Sequence, residues 1–274
     1  MKQYAVLGRQ LPYTLSPIIY NTAFEQLGIR ARYNALEVEP DEFESRLSRI
    51  KKEHSLAGFN ITIPYKLKIM SFLDEIDPAA EQIGAVNTVT DHDGRWKGCN
   101  TDVAGFLRPL SATGGTIRKA VVLGAGGAAR AVLYALQTTS HPAVSLAVRN
   151  RKKGELLRNA FNDLKISIHD FTAAGKLLHD ADLLVNTTPL GTWPDVTATP
   201  LADLSLLKAG GIVYDLVYNP VITRLQQDAQ DLHRNITCIG GLEMLLGQAA
   251  EAFRLWTGQD LPLEAVKKAV SRRQ

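Results

Sequence analysis

Residues 121–136 read VVLGAGGAARAVLYAL, and their order decides the architecture. The apolar run through Leu123 predicts a buried strand, and GGAARAVLYAL predicts a helix directly after it. Between them, Gly124, Gly126 and Ala129 fit the spacing G-x-G-x-x-G/A. In a strand–turn–helix setting the glycines permit a tight turn and close backbone approach, and the helix start favours a pyrophosphate. The stretch therefore predicts a dinucleotide site on an α/β sheet. A glycine turn used only for close packing is the plain alternative.

The next strand, AVSLAV, runs into AVRNRKKG at 147–154. An NAD-binding unit places Asp or Glu here to hold the ribose 2′-hydroxyl. This chain has Arg149, Arg151, Lys152 and Lys153 instead. A carboxylate would repel a 2′-phosphate, whereas arginine grips one bidentately. NADP is the expected cofactor. The plain alternative is a solvated, basic helix start.

Working outward, strands and helices alternate along the chain. Tyr4–Gly8, Ala31–Val38, Ala57–Ile63 and Ala85–Thr90 read as strands. Ser16-Pro17 opens a helix that stops at Gly28, and Asp41 caps another. A short helix follows Pro64, another follows Asp77-Pro78, and Asp93-Gly94 is a turn. The second series starts near Lys119, with DLLVN and GIVYDLV as later strands. Helices over 242–256 and 262–272 close it. Alternating βα units imply mostly parallel sheets. Two such series predict two α/β domains with a boundary near Asn100–Arg118.

The 274 residues are 45% hydrophobic and 22% charged, with net charge +3, enough for one large or two modest domains. The mild positive charge suits an anionic small molecule and demands no nucleic acid. Cys99 and Cys238 lie far apart and the six histidines are scattered singly, so no metal site is expected. The N-terminus enters a strand directly, and no apolar run reaches the ~18 residues that would cross a membrane. A cytoplasmic setting follows as the expectation.

Four polar stretches adjoin glycines or element ends: GFNITIPYK, AVNTV, GCNTDVAG and GGLEMLLGQA. Their Asn, Thr, Asp and Gln side chains suit a small polyhydroxylated ligand. Each also has a plain local role: Ser16 and Asp102 as helix caps, Lys66 as a solvated helix lysine, Gln248 as a surface residue. Asn60, Thr62, Asn87 and Asn100 could satisfy nearby backbone.

Taken in order, TLSP (14–17), NITIPYK (60–66), AVNTV (85–89), NTDVAGF (100–106), GAGGAARA (124–131), NTTPLG (186–191), YDLVYNPVIT (214–223) and MLLGQA (244–249) resemble the shikimate dehydrogenase family over nearly the whole chain. The resemblance implies an N-terminal α/β substrate domain with a mostly parallel sheet and a Rossmann-type NADP-binding domain. It assigns 1–101 plus about 240–274 to the first and 102–239 to the second, with the last helices packing back on the substrate domain. It implies NADP-dependent reduction of 3-dehydroshikimate to shikimate, a step of aromatic amino-acid and chorismate biosynthesis. Lys66 and Asp102 would be the catalytic pair. Thr14, Ser16, Asn60, Thr62, Lys66, Asn87, Asp102, Tyr218 and Gln248 would bind substrate. Gly124, Ala125, Gly126, Gly127, Ala128, Asn150, Arg151, Lys152, Thr187, Thr188, Leu190, Leu216 and Gly241 would line the cofactor site. The protein would act as a monomer or homodimer.

The residue types suit that chemistry. Reducing a ketone needs hydride on carbon and a proton on oxygen. A lysine ammonium beside the carbonyl polarises it and supplies the proton, and a carboxylate orients it. A true acid–base role and an electrostatic anchor both fit Lys66.

The chain also departs from the family pattern. Thr14 stands where serine is usual, adding a methyl near the substrate carboxylate. Tyr20 stands for histidine, Thr192 for methionine, and Lys152 for threonine. A quinate/shikimate dehydrogenase using NAD is the near alternative, and Thr14 bears on it. A non-catalytic regulatory paralogue would have lost Lys66 or Asp102, and both are present. A methylene-tetrahydrofolate dehydrogenase fits TLSP and NTD poorly.

Overall fold

The apolar runs build two sheets, each in its own compact unit. A computed structural model describes residues 1–273. One unit holds Met1–Thr101 and the chain from Leu246 onward; the other holds Asp102–Leu245.

In the first unit, Lys2–Gly8 (β1) buries Tyr4 through Gly8 on both faces, as a central parallel strand must. Then follow Ser16–Gln26 (α1), Ala31–Glu37 (β2), Phe43–Glu53 (α2), Gly58–Ile61 (β3), Glu75–Ile76 (β4), Pro78–Ile83 (α3), Thr88–His92 (β5) and Arg95–Cys99 (β6). The strand order is β2-β1-β3-β5-β6-β4. β2, β1 and β3 run parallel, while β5 is antiparallel to both β3 and β6. The β5–β6 reversal is made by Asp93 and Gly94, both at positive φ, with the Asp91 carboxylate accepting from Gly94 N–H at 2.7 Å.

Several boundaries differ from the sequence expectation. Ser16 is the first residue of α1 rather than its cap, and Thr14 Oγ1 accepts from Ser16 N–H at 3.4 Å. α2 begins at Phe43, not at Asp41, because Phe43 is fully buried and stacks on Tyr65 at 4.0 Å. After Pro64 the chain makes only a 3₁₀ turn, Lys68–Phe72. β4 and β6 have no counterpart in the sequence expectation.

The second unit runs Asp102–Ser111 (α4), Lys119–Leu123 (β7), Gly127–Thr138 (α5), Ala143–Val148 (β8), Arg151–Ala160 (α6), Ile166–Asp170 (β9), Leu183–Asn186 (β10), Ile212–Asp215 (β11), Arg224–Gln230 (α7) and Thr237–Ile239 (β12). Its sheet is parallel throughout, in the order β12-β11-β10-β7-β8-β9. β7, the first strand of this unit, lies in the middle with the chain winding outward on both sides, the doubly wound arrangement of dinucleotide-binding sheets. β7 and β10 are the neighbours at which the winding reverses, so a crevice opens at their C-terminal ends. Gly241–Thr257 (α8) begins in this unit and continues in the first, where Leu263–Ser271 (α9) follows.

In the first unit an aromatic cluster fixes the C-terminal helices. Trp256 packs on Tyr4 at 5.0 Å and Tyr20 at 5.2 Å, and Phe253 on Phe24 at 5.5 Å. Trp256 Nε1 also donates to Val89 O at 3.0 Å. Gly58 leaves room for that indole, since a Cβ there would overlap it. Each buried side chain of this size stabilises by roughly 1.5–3 kcal/mol.

Candidate active site

In the first unit the winding reverses between β1 and β3, and the chain is tight there. Thr62 N–H donates to Leu7 O at 2.9 Å and Arg9 N–H to Ile63 O at 3.1 Å. A Cβ on Gly8 would overlap the Thr62 methyl, so glycine lets the two strand ends close together. Beyond Pro64, the Tyr65 hydroxyl donates to Val38 O at 2.6 Å, and Lys66 O accepts from Val86 N–H at 2.8 Å. These bonds pin the backbone on both sides of Lys66, whose side chain is half-buried. Lys68 is different. It is exposed, paired with Glu44 at 3.0 Å, and lies over the Phe43 ring.

Around this end of the sheet runs one hydrogen-bonded chain of buried polar groups. Thr14 Oγ1 donates to Ser16 Oγ at 3.3 Å, and the Ser16 hydroxyl meets the Tyr33 phenol. Tyr33 donates to Asn60 Oδ1 at 2.6 Å, and Asn60 Nδ2 donates to Asn87 O and to Thr88 Oγ1. Asn87 Oδ1 accepts from Thr101 N–H at 2.8 Å, while Thr101 Oγ1 reaches Gln248 Oε1 at 3.4 Å. Burial pushes the Tyr33 phenol well above its ordinary value, so it stays a neutral donor. β5 runs antiparallel, which delivers Asn87 to the same end of the sheet as Asn60.

This network joins Thr14, Ser16, Asn60, Asn87 and Gln248, five of the residues expected from the sequence. Thr62 sits beside them on the turn after β3. Tyr33, Thr88 and Thr101 were not expected. Their partners are distant in sequence; Thr88 and Thr101 carry a signal, inside AVNTV and NTDVAGF, and Tyr33 carries none. Asp102 follows Thr101 directly, is 5% exposed and opens α4, where a negative charge is favourable.

In the second unit, the Gly-rich turn lies at the C-terminal end of β7. Gly124 has φ +106°, and a Cβ there would meet Thr187 Oγ1 at 2.7 Å. Gly126 differs: it is exposed, and a Cβ built on it meets nothing within 4 Å. Space is therefore free just ahead of α5, whose first N–H groups lack acceptors within the helix. A pyrophosphate fits this cradle.

The start of α6 carries the second sign of an anion. Arg151, Lys152 and Lys153 crowd its first turn with no acidic residue there, although the positive end of a helix disfavours cations. Asn150 caps the helix by accepting from Lys153 N–H at 3.2 Å. Only part of this charge is answered locally, by Glu155 lying 3.5 Å from Arg151. A 2′-phosphate would relieve the remainder.

The other expected cofactor residues line strand ends of the same sheet. Thr187 donates its hydroxyl to Leu123 O at 2.6 Å, and Thr188 to Asn186 Oδ1 at 2.7 Å. Both hydroxyls are spent on shaping the loop after β10. Leu190 and Leu216 are half-buried on the loops after β10 and β11, and Tyr218, expected at the substrate, is half-buried on the second of these loops. Gly241 lies against the second loop, where a Cβ would overlap the Leu216 carbonyl. Among the described residues no cluster of His, Cys, Asp and Glu is arranged to hold a metal, and no helix is long and apolar enough to cross a membrane.

Comparisons with known proteins give consistent matches. A model described as the shikimate dehydrogenase substrate binding domain matches residues 6–89, one described as shikimate / quinate 5-dehydrogenase matches 112–192, and one described as the shikimate 5′-dehydrogenase C-terminal domain matches 241–270. The shikimate dehydrogenase (NADP(+)) of Chlorobaculum tepidum is 40% identical over 282 residues, covering 98% of this chain and 95% of the relative. The crystal structure of shikimate 5-dehydrogenase from Thermus thermophilus in complex with NADP(H) and shikimate is similar with a TM-score of 0.88 and 35% identity, over 100% of both chains. Quinate dehydrogenase from Corynebacterium glutamicum in complex with NAD is similar with a TM-score of 0.89 and 28% identity, over 99% of both chains.

Proposed function

The chain belongs to the shikimate dehydrogenase family, and from that premise we propose that Lys66 and Asp102 are its catalytic pair, Lys66 moving the proton and Asp102 orienting the substrate. That reaction is the reversible, NADP-dependent reduction of 3-dehydroshikimate to shikimate. The observation that carries the substrate assignment is the buried polar network from Thr14 to Gln248, which passes through Thr101, the residue before Asp102.

NADPH, when bound, supplies the hydride that reaches the ketone carbon. The Lys66 ammonium donates a hydrogen bond to the ketone oxygen and then its proton as that oxygen gains charge. In the oxidation direction the neutral amine takes the hydroxyl proton back. Asp102 accepts from a ring hydroxyl and orients it. Asn87 and Gln248 meet the remaining hydroxyls, and Thr14 and Ser16 receive the carboxylate at the start of α1. Thr62 and Tyr218 complete the substrate contacts. Asn60, with its amide nitrogen engaged by Asn87 and Thr88, acts mainly by holding those groups in place.

On the cofactor side, Gly124 to Ala128 cradle the pyrophosphate. Asn150, Arg151 and Lys152 hold the adenosine phosphate. Thr187, Thr188, Leu190, Leu216 and Gly241 shape the nicotinamide end. The Arg151→Ala/Lys152→Ala variant should raise KM for NADP by about tenfold or more, as loss of charge-assisted hydrogen bonds implies, and leave KM for NAD within about twofold. Thermal melting should show no loss of stability, because two cations leave a positive helix end. Equal losses with both cofactors would remove these residues from the 2′-phosphate site. The cellular setting we propose is the cytoplasm, and the working form a monomer or homodimer.

The experiment that tests the function is steady-state oxidation of shikimate and quinate with NADP and with NAD, followed by absorbance of the reduced cofactor. Shikimate with NADP should give by far the highest kcat/KM. Turnover of quinate at a comparable kcat/KM would identify a dual-substrate enzyme instead.

A further inference from the structure

Among the described residues two carboxylates are buried, Asp102 and Asp215, and the chemistry above uses only the first. Asp215 is the last residue of β11 and is 0% exposed. Its partners carry no charge. Oδ1 accepts from Asn186 Nδ2 at 2.9 Å and from Val217 N–H at 3.0 Å, and Oδ2 accepts from the Thr223 hydroxyl at 2.7 Å. Burial pushes its carboxyl above the ordinary carboxylate value, against the pull of those three hydrogen bonds. Such a group is costly to bury and is tolerated only where its bonds are made.

Those bonds tie three segments together. Asn186 ends β10, and its Oδ1 accepts from both the N–H and the hydroxyl of Thr188, while its Nδ2 also reaches Leu190 O at 3.3 Å. Val217 lies in the loop after β11, between Leu216 and Tyr218, and its carbonyl accepts from Gly241 N–H at 3.2 Å. Thr223 caps α7 in a reciprocal box with Gln226. One carboxylate therefore sets the loop after β10 against the loop after β11. The adenosine end of the site, at Asn150–Lys152 beyond β8, shares none of these bonds.

We propose that Asp215 is a positioning residue for the nicotinamide half of the cofactor site, acting through Asn186 and Val217 on the loops that carry Thr188, Leu190 and Leu216. The proposal rests on the NADP reading of this unit. It separates the two halves of the cofactor: the loops Asp215 holds meet the nicotinamide end, and the adenosine end is held elsewhere.

The test is calorimetric titration of wild type, Asp215→Ala and Asp215→Asn with NADP and with adenosine 2′,5′-bisphosphate, which carries only the adenosine half. Asp215→Ala should weaken NADP at least tenfold and the bisphosphate less than twofold. Asp215→Asn keeps the Oδ1 acceptor, and its amide can donate to Thr223, so NADP affinity should return to within threefold of wild type. Unchanged NADP affinity in Asp215→Ala, equal loss of both ligands, or no recovery in Asp215→Asn would each overturn the proposal. If Asp215→Ala does not fold, Thr223→Val carries the test with Asp215→Asn. It removes only the Oδ2 partner, and NADP should weaken at least threefold with the bisphosphate unchanged. No selective loss there also overturns it. Failure of wild type to bind the bisphosphate would sink the NADP reading instead, so the two failures are distinct.

Discussion

Lys66→Ala should lower kcat for shikimate oxidation by roughly 10³- to 10⁵-fold, with a change in KM of less than about tenfold. The lysine is asked to supply two effects in the transition state, proton transfer and stabilisation of charge on the ketone oxygen. Each is typically worth a few powers of ten, and each power of ten is about 1.4 kcal/mol of barrier. Ground-state binding suffers less, because the carboxylate and ring hydroxyls keep their own ligands. The fold should also survive. Lys66 is held through its backbone carbonyl and through Tyr65, and neither bond needs the ammonium. Lys68→Ala serves as the control. Its charge answers Glu44 on the surface, so kcat should stay within about twofold. A Lys66→Ala enzyme with near-normal kcat would end its catalytic assignment.

Gly126→Val should raise the Kd for NADP by about 100-fold or more while leaving the melting temperature of the free protein within about 2 °C. A Cβ there enters open space, so the empty protein loses little beyond the exchange of glycine for valine at the cap of α5, but that space is where the pyrophosphate must approach the helix start. Gly124→Val makes the complementary contrast. Its φ of +106° and the nearby Thr187 hydroxyl oppose any side chain, so the cost falls on the fold, at roughly 2–4 kcal/mol. Calorimetric titration and thermal melting on the two variants separate these effects. If Gly126→Val binds NADP normally, the cradle is not the phosphate site.

What the sequence could show follows from how local each feature is. The run from Val121 to Leu136 revealed strand, turn and helix because period and glycine spacing act within a few residues. The absence of an acid after β8 was legible for the same reason. Strand order was not, since it depends on which distant strands pair. Helix starts misled where packing overrode a local cap signal. Phe43 stacking on Tyr65 sets the start of α2, and Ser16, expected as a cap, lies inside α1 with its own N–H bonded to Thr14 Oγ1. β6 was missed because RWKGC carries a weak alternation and takes its place from pairing with β5. Tyr33 and Asp215 were invisible as functional residues because each acts through partners far along the chain. Tyr33 reaches Asn60, and Asp215 reaches Asn186, across more than twenty residues of intervening sequence. Asn60 reads as a substrate ligand from its motif, and the structure adds bonds to Tyr33, Asn87 and Thr88 that no local pattern announces.

As the proposed catalytic pair, Lys66 and Asp102 would serve one chemical step. The most direct measurement is a double-mutant cycle on kcat with Lys66→Ala, Asp102→Ala and the combined variant, at saturating shikimate and NADP. Groups acting on one step are strongly non-additive, so the combined variant should be no slower than about threefold below the slower single one. Losses that multiply, as for two independent contributions, would show that the two residues do not act as a pair.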